Sequence, residues 1–140
     1  MKIMIVGRVT KYNAEYFYST AFRELGHEVL TLDMFAGIRH RLYESLLHSR
    51  TELFRFSLDR LDINRNIYDS ARGYEPDAII IFRGELISIK SLKKLRENFR
   101  VYLFYPDVFK FLHLLKGRME YYDAIFTAAN ETKCYLNIGD

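Results

Sequence analysis

The sequence predicts an α/β fold in which one doubly wound parallel sheet carries helices on both faces. Short apolar runs without polar alternation are typical of strands buried in a parallel sheet. Each such run is followed by a stretch with helical spacing of its apolar residues, and this alternation repeats along the chain. The length of 140 residues corresponds to a single domain spanning residues 1–140.

The first strand and helix are predicted close to the N-terminus. The strand is the apolar run Lys2–Val6, and helical periodicity extends from Ala14 to Leu25. Phe17, Ala21 and Leu25 lie at spacings of four on one stripe of this helix. Such a stripe is typical of the face that a helix buries against a sheet.

The second strand precedes the longest helical stretch. Gly26 stands where a left-handed residue ends a helix, and His27–Asp33 then alternates as a strand does. Residues 34–74 contain no proline and follow helical spacing in two registers. We expect one or two helices here, with a break between Ser57 and Asn66.

Three more strand–helix units complete the predicted sheet. The strands are Asp77–Phe82, Arg100–Tyr105 and Asp123–Thr127, and the helices are one that begins after Ser88, Val108–Met119 and Ala128–Leu136. Right-handed crossovers then predict a Rossmann-like, five-stranded sheet in the order 3-2-1-4-5.

Composition and charge exclude several classes of protein. The 21 lysines and arginines against 18 acidic residues give a net charge of +3, too small for a dedicated nucleic-acid binder. The single cysteine, Cys134, excludes an intrachain disulfide. No apolar run reaches the roughly 18 residues of a transmembrane helix, and the N-terminal run is too short for a signal peptide. We therefore expect a cytoplasmic protein.

Several motifs of known chemistry are missing from the sequence. Residues 7–12 read GRVTKY, which lacks the glycines of a G-x-G-x-x-G dinucleotide fingerprint. The P-loop pattern and the G-x-S-x-G nucleophile elbow are also absent. The four histidines show no metal-ligand spacing, so we expect neither a metal nor another cofactor.

The polar residues that follow the strands form the candidate site, because ligands bind at the carboxyl ends of parallel strands. Arginines there can pair with a phosphate or carboxylate, and Glu85 and Asp107 are candidates for a general base. Simpler roles stay open, since Arg83 and Glu85 suit a surface ion pair and Asp107 suits a helix cap. The candidate binding residues are Gly7, Arg8, Asn13, Arg83, Gly84, Glu85, Asp107 and Asn130.

Arginines also accumulate in the helical segment 35–72, where acidic residues interleave with them. Interleaved positive and negative side chains are typical of a solvent-exposed helix face that carries several ion pairs. A contact for an anionic acceptor, a membrane surface or a partner domain is the alternative. Tyr12, Tyr16, Phe17 and Tyr18 near the first loop suit either a sugar-binding cleft or packing of the first helix on the sheet.

Six short segments of the chain, by their placement, resemble a known family. They are KIMIVG, AFRELGHEVLTLD, YEPDAIIIFRGE, SLKKLRE, VYLFYPD and YYDAIFTA, which cover nearly the whole chain. PDAIIIFRGE, and LFYPD followed by YYDAIFT, are the strongest parts. The chain thereby resembles the amino-terminal domain of the GT-B-fold, spore maturation protein CgeB-like (family 1-like) glycosyltransferases.

The resemblance implies a two-domain enzyme that transfers a sugar from a nucleotide-sugar donor without an essential metal. This domain would bind a small-molecule or glycan acceptor and supply loops to the cleft, while a second domain would bind most of the nucleotide. The match extends to Gly7-Arg8, Arg83–Glu85 and Pro106-Asp107 but assigns no catalytic base.

The length of the chain leads to a further expectation. The sequence ends at Asp140, before any donor-binding domain, so we expect this chain alone to be inactive. The alternative is a stand-alone, non-catalytic Rossmann-like module that recruits a partner through its arginine-bearing helices.

Overall fold

Five parallel strands form one sheet in the computed structural model, which describes residues 1–34, 38–47, 57–106 and 112–127. The sheet confirms the predicted α/β class and the place of each predicted strand within one residue at either end. The strands are β1 (Lys2–Gly7), β2 (Glu28–Asp33), β3 (Ala78–Phe82), β4 (Val101–Tyr105) and β5 (Ala124–Thr127).

The strand order is β2-β1-β3-β4-β5, so the predicted order 3-2-1-4-5 is wrong. β3 reads AIIIF and is buried at four of its five positions, whereas β2 reads EVLTLD and has no fully buried residue. A central strand is covered on both faces and paired on both sides, which favours the more apolar sequence. The apolar β3 therefore takes the centre, and the more polar β2 takes an edge.

Helices connect the strands. They are α1 (Ala14–Glu24), α2 (Ile38–Leu47), α3 (Arg65–Tyr74), α4 (Ile89–Asn98) and α5 (Leu112–Leu115). The predicted break in the long helical stretch is confirmed, because residues 60–64 are not helical. Among the described helices, none has the length and apolar character needed to cross a bilayer.

Two predicted helix ends have different outcomes. Gly26 is left-handed, with φ of 84°, and its N–H and that of His27 donate to Arg23 and Phe22 carbonyls, as predicted for a glycine-terminated helix. The prediction of a single helix over Val108–Met119 is wrong, because α5 ends at Leu115 and a left-handed Gly117 follows. Residues 107–111 and the predicted helix Ala128–Leu136 lie outside the described residues.

Each face of the sheet has its own apolar core. On the first face, β1 and β3 side chains such as Met4 and Ile81 pack in one buried cluster with α3 and α4 side chains such as Ile67 and Leu92. On the second face, Ile3, Ile5 and Phe82 form a smaller buried cluster, flanked by half-buried side chains of α1. Both faces thus carry helices, as predicted, but the second core is much smaller.

The rotation of α1 about its axis differs from the prediction. Its buried residues are Glu15 and Ser19, whereas Phe17 is 61% exposed and Leu25 is 72% exposed. The Glu15 carboxylate accepts a hydrogen bond from the Arg8 N–H at 2.9 Å, which turns this side of the helix inward. The predicted buried stripe through Phe17, Ala21 and Leu25 is therefore wrong, and these side chains face solvent.

A buried polar cluster joins the start of α3 to the start of α4. The fully buried Asn64 donates from Nδ2 to the Leu86 carbonyl at 3.3 Å and accepts from the Ser88 N–H at 2.9 Å. Ser88 caps α4 as predicted, since its Oγ accepts from the Ser91 N–H at 3.2 Å. Because α4 follows β3, these bonds fix the backbone just beyond the end of the central strand.

The first prediction concerns Gly84, which leaves room for a close approach. A Cβ at this position would lie 2.8 Å from Leu103 Cδ1 and closer still to the Tyr122 hydroxyl. Because both neighbours belong to the core, we expect Gly84→Ala to lower the free energy of unfolding by about 1–3 kcal/mol. Urea unfolding followed by circular dichroism measures this change.

Gly73 provides the matched control. It lies in α3 with no atom within 4 Å of a built Cβ, so Gly73→Ala should raise stability by up to about 1 kcal/mol. Equal effects of the two substitutions would contradict the packing described for Gly84.

The second prediction concerns the pH dependence contributed by Asp62. Burial raises the pKa of its carboxyl. The hydrogen bond and charge of Lys94, together with the hydrogen bond from the Ser91 hydroxyl, lower this pKa by more than burial raises it, so the pKa lies below the ordinary value. A carboxyl of this kind stabilises the fold above its unfolded pKa of about 3.9, and this contribution disappears as the pH falls through the folded-state pKa.

Asp62→Asn should therefore lower stability at neutral pH by less than about 1 kcal/mol, because the ion pair with Lys94 is partly exposed. Urea unfolding of both proteins should show this difference shrinking below about pH 4. Asp69→Asn is the control, since its carboxyl lies in a surface pair and is 57% exposed. A difference that grows in acid would refute the assignment.

Candidate functional site

The carboxyl ends of β1 and β3 lie side by side in the centre of the sheet. The register pairs Val6 with Ile81, so the residues that follow them, Gly7-Arg8 and Phe82-Arg83, leave the sheet next to each other. The chain continues from β1 to an edge strand on one side and from β3 towards the other edge, with α1 and α4 on opposite faces. This is a topological switch point, the usual ligand position in an open α/β sheet.

The loop after β1 is held by the first turn of α1. The Arg8 N–H donates to Glu15 Oε1 at 2.9 Å, and the side chain of Glu15 is buried. A Cβ at Gly7 would lie 2.6 Å from Glu15 Oε1 and 2.7 Å from Cγ, so only glycine leaves room for this carboxylate. Gly7 therefore has a packing role, and the exposed Arg8 side chain extends from the loop that Glu15 fixes.

Asn13 also holds this loop. It precedes α1 in an extended conformation, but its side chain makes no capping bond to the helix. Instead its Nδ2 donates to the Arg8 carbonyl at 2.8 Å. Asn13 therefore does not cap α1, because its side chain turns back to the loop that it closes.

Arg83 has an uncommon backbone conformation at the end of β3. Its φ of 57° and ψ of 60° are left-handed, a region that costs a residue with a Cβ on the order of 1 kcal/mol. Its Nε donates to Glu85 Oε1 at 3.1 Å, where the Glu85 side chain is 1% exposed and that of Arg83 is 30% exposed. The predicted ion pair thus exists, with its carboxylate buried and not at the surface.

A second buried ion pair lies beneath this turn. The Arg118 guanidinium donates to the carbonyls of Ile87 at 3.2 Å and Leu114 at 2.7 Å, and to the Asp59 carboxylate. The Tyr43 hydroxyl donates to the same carboxylate oxygen at 3.3 Å. Arg118 and Asp59 are both buried, and each of the three guanidinium nitrogens of Arg118 donates to a protein acceptor.

Two buried tyrosines report the electrostatics of this region. Burial raises the pKa of Tyr122 well above its ordinary value; the charge of Arg118 opposes the shift and that of Glu85 adds to it. Burial likewise raises the pKa of Tyr43, with Arg118 lowering it and Asp59 raising it. Both phenols therefore stay neutral, and Tyr122 lies within electrostatic reach of both buried ion pairs.

The structure brings most of the predicted site residues to one place. Asp107 and Asn130 lie outside the described residues, so their positions are not assigned. The remaining six lie in two adjacent loops at the switch point, and they are Gly7, Arg8, Asn13, Arg83, Gly84 and Glu85.

Three supporting residues were missed by sequence reasoning. Glu15 has a weak sequence signal, because an acidic residue in the first turn of a helix after a strand-ending glycine can accept from the loop. Asp59 and Arg118 have none, since they are 59 positions apart and meet only in the folded chain.

The side chains at this edge can bind a ligand through charge and hydrogen bonding. Arg8 and Arg83 offer guanidinium donors suited to phosphate or carboxylate groups. The four exposed aromatics of the first loop and helix include Tyr12, which is 79% exposed, and Tyr18, whose ring packs on Phe104 at 4.7 Å. Over the described ranges, no three His, Cys, Asp or Glu side chains come together as metal ligands.

Comparison of the chain with protein-family models and with curated proteins finds no match.

The third prediction concerns the buried ion pair beneath the site. Asp59→Ala leaves the Arg118 guanidinium buried without its carboxylate, so we expect a loss of about 3–5 kcal/mol in the free energy of unfolding. The double variant Asp59→Ala with Arg118→Met should be less destabilised than Asp59→Ala alone, because no charge is left unpaired. Urea unfolding measures both.

The control for this pair is the surface pair of Arg65 and Asp69, where Asp69→Ala should change stability by less than about 1 kcal/mol. A double variant at Asp59 and Arg118 that loses the full sum of the two single effects would show that the two groups do not interact.

Proposed function

We propose that the edge formed by the ends of β1 and β3 is the acceptor side of a glycosyltransferase cleft, in which Arg83 binds an anionic group of the donor or acceptor. The single observation that supports this proposal most is the left-handed Arg83 beside the buried Glu85 at the switch point. Backbone strain of this kind persists where the surrounding structure fixes it, and it is concentrated at binding sites.

The burial of Glu85 supports a positioning role for this residue. A general base must reach the proton that it accepts, and a carboxylate that is 1% exposed and bonded to Arg83 is poorly placed for that. Its negative charge instead holds the guanidinium in one orientation. Asp107, which follows β4 and lies outside the described residues, is the remaining candidate for the base.

The transfer itself divides between the two sides of the cleft. The acceptor hydroxyl oxygen forms a bond to the anomeric carbon of the donor sugar, and the bond from that carbon to the diphosphate oxygen breaks with its electron pair. The hydroxyl proton passes to a carboxylate. In this proposal Arg8 and Arg83 orient the anionic group near the reacting atoms and stabilise its charge. A second domain would hold the nucleoside of the donor, which leaves the diphosphate for the arginines of this domain to bind.

The fourth prediction tests the role of Arg83. Calorimetric titration of the chain with the glucose conjugates of uridine, guanosine and thymidine diphosphate should detect binding of at least one. Arg83→Gln should weaken that binding about tenfold or more, since a hydrogen bond to a charged group contributes about 1.5–3 kcal/mol. Thermal unfolding in parallel separates loss of binding from loss of folding.

Arg65→Gln is the matched control, because Arg65 lies on α3, is 73% exposed and makes a surface ion pair. It should leave binding unchanged. Failure of the unsubstituted chain to bind any of the three nucleotide sugars, or equal weakening by the two substitutions, would overturn the proposal.

A further inference from the structure

A concave surface, which we call the basic groove, lies along the outer side of α4. Its volume is about 540 Å³, in the range of small-molecule sites. One wall is formed by Asp59 and Arg60, which precede α3 in the chain, and the other wall is formed by α4. None of the described residues that line the basic groove belongs to the candidate site at the switch point.

The α4 wall of the basic groove carries a stripe of charged side chains. Lys90, Lys93, Lys94 and Glu97 recur at spacings of three and four, so they lie on one side of the helix. Lys90 and Lys93 are exposed, and Lys94 is half-buried. The stripe therefore places three lysines within roughly 6 Å along the helix axis.

Two ion pairs at the basic groove contribute no net charge. Asp59 pairs with the buried Arg118, and Lys94 Nζ donates to Asp62 Oδ2 at 2.5 Å. Each of these charges has its counter-charge within the protein. The charge that attracts a ligand therefore comes from the remaining residues.

The remaining charges leave the basic groove positive. Arg60, Lys90 and Lys93 are three cations, whereas Glu97 is the one further carboxylate among the described residues that line the groove. The Lys93 Nζ lies 5.3 Å from the centroid of the Tyr121 ring, which attracts a cation without cancelling its charge. The excess is thus two positive charges, and a ligand that neutralises them is an anion.

We propose that the basic groove binds an oligophosphate, an anion in which two or more phosphate groups are linked. The proposal does not depend on the proposed function, because it rests on other residues and on a different surface. Ammonium groups bind phosphate oxygens through charge-assisted hydrogen bonds, and a lysine has three N–H donors that rotate to meet them.

The position of the cations favours linked phosphates over a single phosphate. Lys90 and Lys94 are about one helical turn apart on α4, and Arg60 belongs to the opposite wall. A ligand that contacts both walls and both ends of the stripe needs anionic oxygens at several points. Linked phosphates supply such oxygens, whereas one phosphate reaches only some of the cations.

The short length of the cationic stripe argues against an acidic peptide as the ligand. The stripe ends at Glu97, whose carboxylate would repel the acidic side chains of a segment that ran further along α4. An extended peptide advances roughly 3.3 Å per residue, so a few residues would already outrun the lysines. A compact anion fits the concave shape and the short stripe better.

Calorimetric titration with sodium tripolyphosphate, in about 50 mM salt so that screening is limited, tests the proposal. We expect saturable binding of one ligand per chain, about tenfold tighter or more than that of orthophosphate. Lys90→Gln with Lys93→Gln should weaken tripolyphosphate binding about tenfold or more, because two charged donors are lost. Circular dichroism should show an unchanged fold, since both side chains are exposed.

The matched control removes two exposed positive charges outside the basic groove. Lys2→Gln with Arg72→Gln lowers the net charge by the same amount, and neither residue lines the groove. This variant should bind tripolyphosphate as tightly as the unsubstituted chain. Equal weakening in the two double variants would show attraction by overall net charge alone and would overturn the proposal.

A substitution of opposite sign tests the same stripe. Glu97→Gln removes the carboxylate from the end of the stripe and should strengthen tripolyphosphate binding about twofold or more. Glu24→Gln removes the same charge at the end of α1 and should leave binding unchanged. Equal affinities of these two variants would contradict binding beside Glu97.

Three further results would overturn the proposal. Absence of saturable binding would show that the basic groove holds no oligophosphate. Loss of binding in Arg83→Gln, but not in the double lysine variant, would place the anion at the switch point instead. Binding of hexaglutamate as tight as that of tripolyphosphate would identify an acidic peptide as the ligand.

Discussion

The central position of β3 is the constraint on which the rest of the structure depends. Its three consecutive isoleucines and its phenylalanine send side chains alternately to the two faces, so both faces must be covered. Pairing with β1 on one side and β4 on the other satisfies its backbone. The order of the sheet follows, and with it the adjacency of the loops that carry Arg8 and Arg83.

At the end of β3, packing around the candidate site holds Arg83 in an unfavourable backbone conformation. Alternation along a strand would continue past Phe82, but the left-handed Arg83 breaks it and starts the 3₁₀ turn Gly84–Leu86. The turn carries Glu85 and Leu86 into the buried first face. Tight packing of Gly84 against Leu103 and the cluster around Asn64 hold this turn, so the strain at Arg83 is offset by burial on both of its sides.

Local sequence signals predicted the elements, whereas contacts between distant parts of the chain decided what could not be predicted. Apolar runs placed five strands, and Gly26 and Ser88 marked helix ends because those roles depend on neighbouring residues alone. β1 pairs with β2 in both the predicted and the observed order, so the strand order depended on whether β3 or β4 is its second partner. The rotation of α1 about its axis depended on the hydrogen bond from the Arg8 N–H to the Glu15 carboxylate. This bond turns Glu15 inward, although the spacing of Phe17, Ala21 and Leu25 had predicted that those three residues are buried. Asp59 and Arg118 meet across 59 positions, beyond any local pattern.

The same central strand joins the candidate site to an apolar groove on the α1 face of the sheet. Ile80 and Phe82 reach the groove on one face, while Ile79 and Ile81 are part of the core on the other. The turn at Arg83 is therefore only as rigid as the packing on both faces of β3. The first face supplies a large core with α3 and α4, whereas the described part of the second face supplies only α1 and a half-open surface. The rigidity of the turn at Arg83 therefore depends mainly on the packing of Ile79 and Ile81 in the core of the first face.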